Sequence, residues 1–93
     1  MKHMKQAVPH IKVVGLPCPK IDRTLVNAQA AAAEFDDRPE VSWIGDIHHI
    51  VELGSKQSPT ILVNEKVKLT GRIPSVYEIR TWIEEELGEE VAA

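Results

Sequence analysis

The junction between a short apolar run and a long helical pattern constrains the fold of this chain more than any other feature. The run is His10-Ile11-Lys12-Val13-Val14, whose partial alternation and β-branched residues favour a strand that ends at Gly15. Pro19 suits the first position of the following helix, because its φ is preset and its missing N–H would have no partner there. A strand that leads directly into a helix predicts an α/β fold, and Cys18 stands where the helix begins.

The predicted first helix carries one apolar stripe. Its members recur at spacings of three and four residues, as one face of a helix requires: Ile21, Leu25, Ala28, Ala32 and Phe35. The helix is predicted to end near Asp36, since Pro39 cannot continue it and disfavours helical geometry at Arg38.

Strand and helix signals alternate along the rest of the chain. They predict strands at 41–44, 60–63 and 66–69, and a short helix that begins after Asp46 and ends at Gly54. Ser75 and Glu78 form a capping-box pattern that predicts the start of a last helix. Its apolar stripe is Val76, Ile79, Ile83 and Leu87, and its glutamates at 84–86 and 89–90 are interpreted as a solvated face and tail.

Length, composition and charge restrict the function classes. The 93 residues, 43% hydrophobic and 27% charged, predict one globular domain over 1–93 with its core at about 10–88. The net charge of −3 argues against a nucleic-acid partner, and no apolar run approaches the roughly 20 residues that span a membrane. No apolar stretch follows the basic residues at the N-terminus, so no signal peptide is predicted and a cytoplasmic location is expected.

Cys18 is the main candidate for chemistry. A cysteine at the positive end of a helix dipole can have its pKa lowered from about 8.5 into roughly the 3.5–7.5 range. Lys20 adds a nearby cation, so a nucleophilic thiolate is the first interpretation. The alternative is a small buried side chain without chemistry, which is where free cysteines most often lie. Since the chain has one cysteine, an oxidised state needs an outside thiol, a second subunit or a sulfenic acid.

Three stretches together resemble the thioredoxin fold, and more closely the small thioredoxin-like "redox-active disulfide" proteins. They are Val14 to Lys20, Ser58-Pro59-Thr60 and Gly71 to Ser75, where that family has its active-site turn, its cis-proline and the lead into the last helix. The resemblance covers roughly Ile11 to Leu87. It implies the order βαβαββα, with a four-stranded mixed sheet of order 2-1-3-4 and helices on both faces.

The resemblance also implies the residues of a site. Cys18 matches the attacking, catalytic cysteine, and the implied substrate-binding residues are Pro17, Pro19, Lys20, Ser58 and Pro59, with Pro59 in the cis form opposite Cys18. The family's Cys-x-x-Cys motif reads Cys18-Pro19-Lys20-Ile21 here, so Ile21 stands where the resolving cysteine belongs. A dithiol enzyme releases a mixed disulfide through that second thiol, and this chain has none.

Two functions stay open. The first is a monothiol oxidoreductase, thioredoxin- or glutaredoxin-like, in which Cys18 attacks protein or low-molecular-weight disulfides and an external thiol completes the cycle. The alternative is a catalytically degenerate binding module that uses the groove near Ser58-Pro59. Metal or cluster binding through Cys18 is a third alternative, which the absence of the Cys-Gly-Phe-Ser motif of monothiol glutaredoxins disfavours. No cofactor is expected, and the expected state is a monomer or a weak dimer.

No chemical role is predicted for His10, the His48-His49 pair or the two tryptophans. Adjacent histidines on a helix point about 100° apart and do not chelate a metal as an i, i+4 pair does. His48-His49 is therefore interpreted as part of a solvated helix face. His10, Trp43 and Trp82 are interpreted as packing or surface residues.

Overall fold

Strands and helices follow one another in the predicted order βαβαββα within residues 8–52 and 57–92, which the computed structural model describes. They are β1 (Ile11–Val14), α1 (Pro19–Ala32), β2 (Val41–Ile44), α2 (Ile47–Glu52), β3 (Thr60–Val63), β4 (Lys66–Thr70) and α3 (Val76–Ala92). The predicted end of the second helix, at Gly54, lies outside the described residues. No helix in those two ranges is long and apolar enough to cross a membrane.

The strands form a mixed sheet of order β2-β1-β3-β4. β1 runs parallel to β2, with Ile11 opposite Val41, and antiparallel to β3, with Ile11 opposite Val63. β4 pairs with β3 in the antiparallel direction at the edge of the sheet. The implied sheet order is therefore confirmed.

The main core lies between one face of the sheet and the helices α1 and α3. Its buried members are Ile11, Val13, Ile21, Ala28, Ala31, Ala32, Ile61, Val63, Ile79 and Ile83. Side chains alternate between the two faces of a strand, so Val14 and Leu62 belong to the opposite face. Both are also buried, in keeping with helices on both faces of the sheet.

The buried face of α1 differs in part from the predicted stripe. Leu25 and Phe35 pack against the core but are only partly buried, whereas Thr24 is fully buried. The hydroxyl of Thr24 is accommodated because it donates a 2.7 Å hydrogen bond to the Lys20 carbonyl, one turn earlier in the same helix.

α1 also ends earlier than predicted, at Ala32 instead of near Asp36. The N–H groups of Glu34 and Phe35 bond to carbonyls three residues back, each at 3.1 Å. Bonds of this kind tighten and terminate the last turn of a helix. Pro39 therefore correctly predicted that the helix stops before that residue. The tight turn formed by Glu34 and Phe35 ends the helix several residues before Pro39.

Glu86 corrects the prediction that the glutamates of the last helix are solvated. It is 1% exposed, although the two glutamates before it are exposed as expected. Its Oε2 accepts a 2.8 Å hydrogen bond from Lys68 Nζ, and its Oε1 lies 3.3 Å from Lys66 Nζ. The hydrogen bond from Lys68 outweighs the effect of burial and holds the pKa of Glu86 below its ordinary value. The side chains at 89–90 lie outside the described part of the chain.

The capping box at the start of α3 is confirmed. Glu78 N–H donates to Ser75 Oγ at 3.1 Å, and Ser75 N–H donates to Glu78 Oε1 at 2.9 Å. Arg72 adds a two-pronged contact to the same carboxylate, with distances of 3.0 and 2.7 Å. These bonds, with Arg72 the largest cause, lower the pKa of Glu78 to about 2.

We expect Glu78→Gln to remove an acid-sensitive part of the stability. The ordinary pKa of this carboxyl is 4.5, so the stabilisation by its charged form is complete above pH 4.5 and is lost as the pH falls through about 2. Glutamine keeps the cap but loses the charge, so the variant should be less stable near neutral pH by about 1 kcal/mol, the scale of a partly exposed ion pair. Urea unfolding near neutral pH and near pH 2 measures this. A difference that persists at the lower pH would contradict the assignment.

Candidate functional site

Gly15 brings the turn after β1 close to the loop before β3. Its N–H donates to the Ile44 carbonyl at 3.0 Å and so extends the pairing of β1 with β2. A Cβ at this position would overlap Ser58 Oγ and would lie 2.7 Å from Ile21 Cδ1. Glycine is required here because the Gly15 backbone lies against both Ser58 and Ile21, which leaves no room for a methyl group.

Cys18 is the N-cap residue of α1. Its backbone is extended, with φ −167° and ψ 168°, and its carbonyl accepts a 3.1 Å hydrogen bond from Asp22 N–H. The thiol is half-buried and packs against the core on one side. Among the described residues it caps no N–H of the helix. The sulfur therefore lies at the positive end of α1 and is partly accessible.

The thiol opens into a groove of about 250 Å³ between the turn after β1, the helix α2 and the loop before β3. The groove is lined by Gly15, Leu16, Pro17, Cys18, Ile47, Ile50, Gln57 and Ser58. Leu16 and Ile47 are each 51% exposed and leave apolar surface in the groove that Cys18 also lines. None of these lining residues is aspartate, glutamate, lysine or arginine. The groove suits an uncharged, apolar group next to a sulfur atom.

The predicted site residues are only partly brought together. Pro17, Cys18 and Ser58 line the groove, and Pro59 lies buried next to Ser58. The Ser58–Pro59 peptide bond is cis, as the resemblance implies. Pro19 lines a separate surface depression along α1, and Lys20 is exposed and does not line the groove. All the predicted roles stay predictions: catalysis by Cys18, and substrate binding by Pro17, Pro19, Lys20, Ser58 and Pro59.

The stretch from Gly71 to Ser75, on which part of the resemblance rests, holds the loop before β3 in place. Gly71 N–H donates to the Pro59 carbonyl at 2.9 Å. The φ of Gly71 is +97°, a conformation that residues with a side chain rarely adopt. Thr60 Oγ1 also donates to the Gln57 carbonyl at 2.9 Å, so the loop is tied to both strands of the hairpin. These bonds hold the loop that brings Ser58 to the groove.

Five residues of the groove were not predicted as site residues: Gly15, Leu16, Ile47, Ile50 and Gln57. Ile47 and Ile50 were correctly assigned to a short helix, but their spacing does not show which part of the molecule that helix faces. One signal was available for Leu16. A large apolar residue between a turn glycine and a proline has little core to join, and it is indeed exposed.

The described part of the chain shows the surroundings of His10 and His48. The described residues contain no group of three or more His, Cys, Asp or Glu that could hold an ion. His48 is exposed, and its N–H donates to Asp46 Oδ1 at 3.2 Å, which confirms Asp46 as the cap of α2. The His49 side chain lies outside the described part. His10 Nε2 lies 2.7 Å from Ser42 Oγ, a link between neighbouring strands.

Comparison with known proteins gives two matches that both extend over most of the chain. A family model described as Thioredoxin domain matches residues 9–84. A thioredoxin of Methanocaldococcus jannaschii is 30% identical over 70 residues, which cover 75% of this chain and 80% of that protein. The residues matched by the family model begin just before β1 and end within α3, so they include the whole groove.

Proposed function

Because this chain belongs to the thioredoxin domain family and has a thioredoxin-like redox role, we propose that it is a monothiol oxidoreductase that works through Cys18. In this proposal Cys18 is the nucleophile, and an external thiol releases the mixed disulfide in place of the absent resolving cysteine. The substrate is a disulfide that carries apolar groups next to its sulfur atoms. We expect it to work in the cytoplasm, where thiols are kept reduced and an external thiol is supplied.

The position of Cys18 carries the proposal. Cys18 is the N-cap residue of α1 and lines the groove together with Ser58. Thiol–disulfide exchange proceeds by attack of a thiolate, and a helix N-terminus attracts negative charge. Ile21, three residues along the helix, is 1% exposed and belongs to the core.

The chemistry is two successive thiol–disulfide exchanges. The Cys18 thiolate attacks one sulfur of the substrate disulfide, forms a mixed disulfide and releases the other sulfur as a thiolate. A thiolate from outside the chain then attacks the mixed disulfide, restores the Cys18 thiolate and leaves as part of a new disulfide. No net electrons are gained by the protein. The second step must be intermolecular, because Cys18 is the one cysteine in the sequence.

We expect the groove to select disulfides with apolar neighbours. Two short peptides, each with one cysteine activated by the same thiopyridine leaving group, would carry either leucine or alanine on both sides of that cysteine. Native protein should react faster with the leucine peptide by about five- to tenfold, since partial burial of a leucine side chain against Leu16 and Ile47 is worth roughly 1 kcal/mol. Release of thiopyridone measures both rates.

Unfolded protein and Cys18→Ser are the controls for this experiment. In urea the two peptides should react at equal rates, because the groove is gone. Cys18→Ser should release no thiopyridone from either peptide. Equal rates for the two peptides with native protein would show that the groove does not select the substrate. No reaction of native Cys18 would refute the monothiol mechanism.

The burial of Ile21 also favours a second candidate, a binding module that has lost turnover. The Ile21 side chain occupies the position of the resolving thiol and belongs to the core, whereas Leu16 and Ile47 keep the groove apolar and exposed. Binding and turnover separate the two candidates. A binding module would hold the leucine peptide in reduced form equally well in wild type and Cys18→Ser, and it would not turn over a peptide disulfide when external thiol is added.

A further inference from the structure

Trp43 connects β2 to the turn that carries Cys18, a long-range contact that no local sequence pattern predicts. Its indole Nε1–H donates a 2.9 Å hydrogen bond to the Gly15 carbonyl. The ring crosses the backbone of Gly45 so closely that a Cβ there would lie 2.6 Å from Trp43 Cζ2. The side chain is nevertheless 46% exposed, so it contributes less to the core than a tryptophan usually does.

We propose that Trp43 is a positioning residue for the groove beside Cys18. This inference rests on the proposed function, since it concerns the same groove. Trp43 does not line the groove itself, so it acts through the turn and not by contact with a substrate.

The Gly15 carbonyl is the point at which the indole controls the turn. It belongs to the peptide plane that joins Gly15 to Leu16, and Leu16 and Pro17 form one wall of the groove. The N–H side of Gly15 is held by the Ile44 carbonyl. With the indole bond in place, both backbone groups of Gly15 are bonded to β2, so the direction in which the chain leaves the sheet toward Leu16 is set.

Cys18 itself is anchored from the other side. Its carbonyl bonds to Asp22 N–H as part of α1, and this anchor does not involve Trp43. Loss of the indole bond should therefore move the groove wall while the thiol stays at the helix N-terminus.

Two kinds of reaction separate the effect on the groove wall from the effect on the thiol. A small alkylating reagent reports on the thiol, and the leucine-flanked peptide disulfide reports on the thiol and the wall together.

The test compares Trp43→Phe with Trp82→Phe. Phenylalanine at position 43 keeps an aromatic ring near Gly45 but has no N–H to donate. Trp82 lies in α3 and packs against the core, so its replacement controls for a general loss of stability. In Trp43→Phe we expect iodoacetamide to alkylate Cys18 within about twofold of the wild-type rate and the leucine peptide to react about fivefold more slowly, the scale of one lost hydrogen bond. Trp82→Phe should change neither rate by more than about twofold, since it leaves that hydrogen bond in place.

A second measurement uses wild-type protein and does not depend on the folding of a variant. Attachment of the leucine-flanked peptide to Cys18 as a mixed disulfide should place leucine side chains against the groove wall and shift the Trp43 indole N–H resonance in a nitrogen–proton correlation spectrum, while that of Trp82 stays in place. Alkylation of Cys18 with iodoacetamide, which reports on the thiol alone, should shift the Trp43 resonance less. An unchanged Trp43 resonance with the peptide attached would overturn the inference.

The outcomes also separate this inference from the proposed function. If wild-type protein does not prefer the leucine peptide, the substrate selection that the proposed function includes is refuted, whatever Trp43 does. If wild-type protein prefers it and Trp43→Phe keeps the same preference, the role of Trp43 alone is refuted.

Discussion

Ile21→Cys is expected to speed release of the reduced peptide from its mixed disulfide with Cys18 by at least about tenfold at limiting external thiol. A second thiol on the same helix makes this release intramolecular, and a well-oriented intramolecular group acts as if present at a very high concentration. The geometry favours this reaction, since Cys18 is the N-cap residue of α1 and position 21 is in the first turn of that helix. The assay mixes each reduced protein with the activated peptide and then follows the appearance of reduced peptide in one turnover at several concentrations of external thiol. Release from wild type should rise in proportion to the thiol. Release from the variant should depend on it weakly and leaves a disulfide between the two thiols of the variant, which external thiol reduces in a separate step.

Ile21→Val is the matched control for this variant. Position 21 is 1% exposed and belongs to the core, so any smaller residue costs stability there. Ile→Val typically costs about 0.5–1.5 kcal/mol, and the cysteine variant should lose more because it removes more apolar volume. The valine variant should release the peptide at the wild-type rate. If Ile21→Cys forms a disulfide between its two thiols yet releases the peptide no faster than wild type, attack by external thiol on the mixed disulfide is not the slow step that the monothiol proposal requires.

Gly15→Ala is expected to destabilise the fold by about 1–3 kcal/mol, the range for adding a methyl group to a closely packed site. The new Cβ would overlap Ser58 Oγ and lie 2.7 Å from Ile21 Cδ1. Ile21 cannot give way freely because it is in the core, and the Ser58 hydroxyl must turn away from the new methyl group. Urea unfolding of the two proteins gives the difference in free energy directly.

Gly88→Ala is the control for the same chemical change in an open position. Gly88 lies within α3, and nothing lies within 4 Å of a Cβ built there. Alanine is a better helix former than glycine by about 0.8–1.0 kcal/mol, so this variant should be more stable than wild type. Opposite signs for the two substitutions are the expected result. If Gly15→Ala unfolds at the wild-type urea concentration, the close approach of the turn to Ser58 does not exist in solution.

Local patterns were enough to predict most of the fold. The strand before Gly15, the proline at the start of α1 and the capping box of Ser75 and Glu78 each act within a few residues, and each is found as predicted. The end of α1 was missed by four residues, because the sequence marks the residue that stops a helix more clearly than the tight turn that precedes it. The sheet order came from resemblance to a family and not from any single pattern.

The composition of the groove was less accessible to sequence reasoning. Ile47 belongs to a helix predicted correctly, yet its place beside Cys18 depends on how the chain crosses from β2 to β3. The bond from Trp43 to Gly15 joins residues 28 positions apart, and the burial of Glu86 depends on lysines of β4. Such contacts become visible only once the strands are placed side by side.

The sequence by itself determined the elements, the single thiol at a helix start and the missing second cysteine, because these follow from the preferences of neighbouring residues and from residue identity. The tertiary structure alone decided which side chains surround that thiol and which polar groups are buried. Side chains far apart in sequence meet there through packing of the sheet, and no local preference encodes their distance. Cys18 could therefore be named from the sequence, whereas the apolar groove beside it could not.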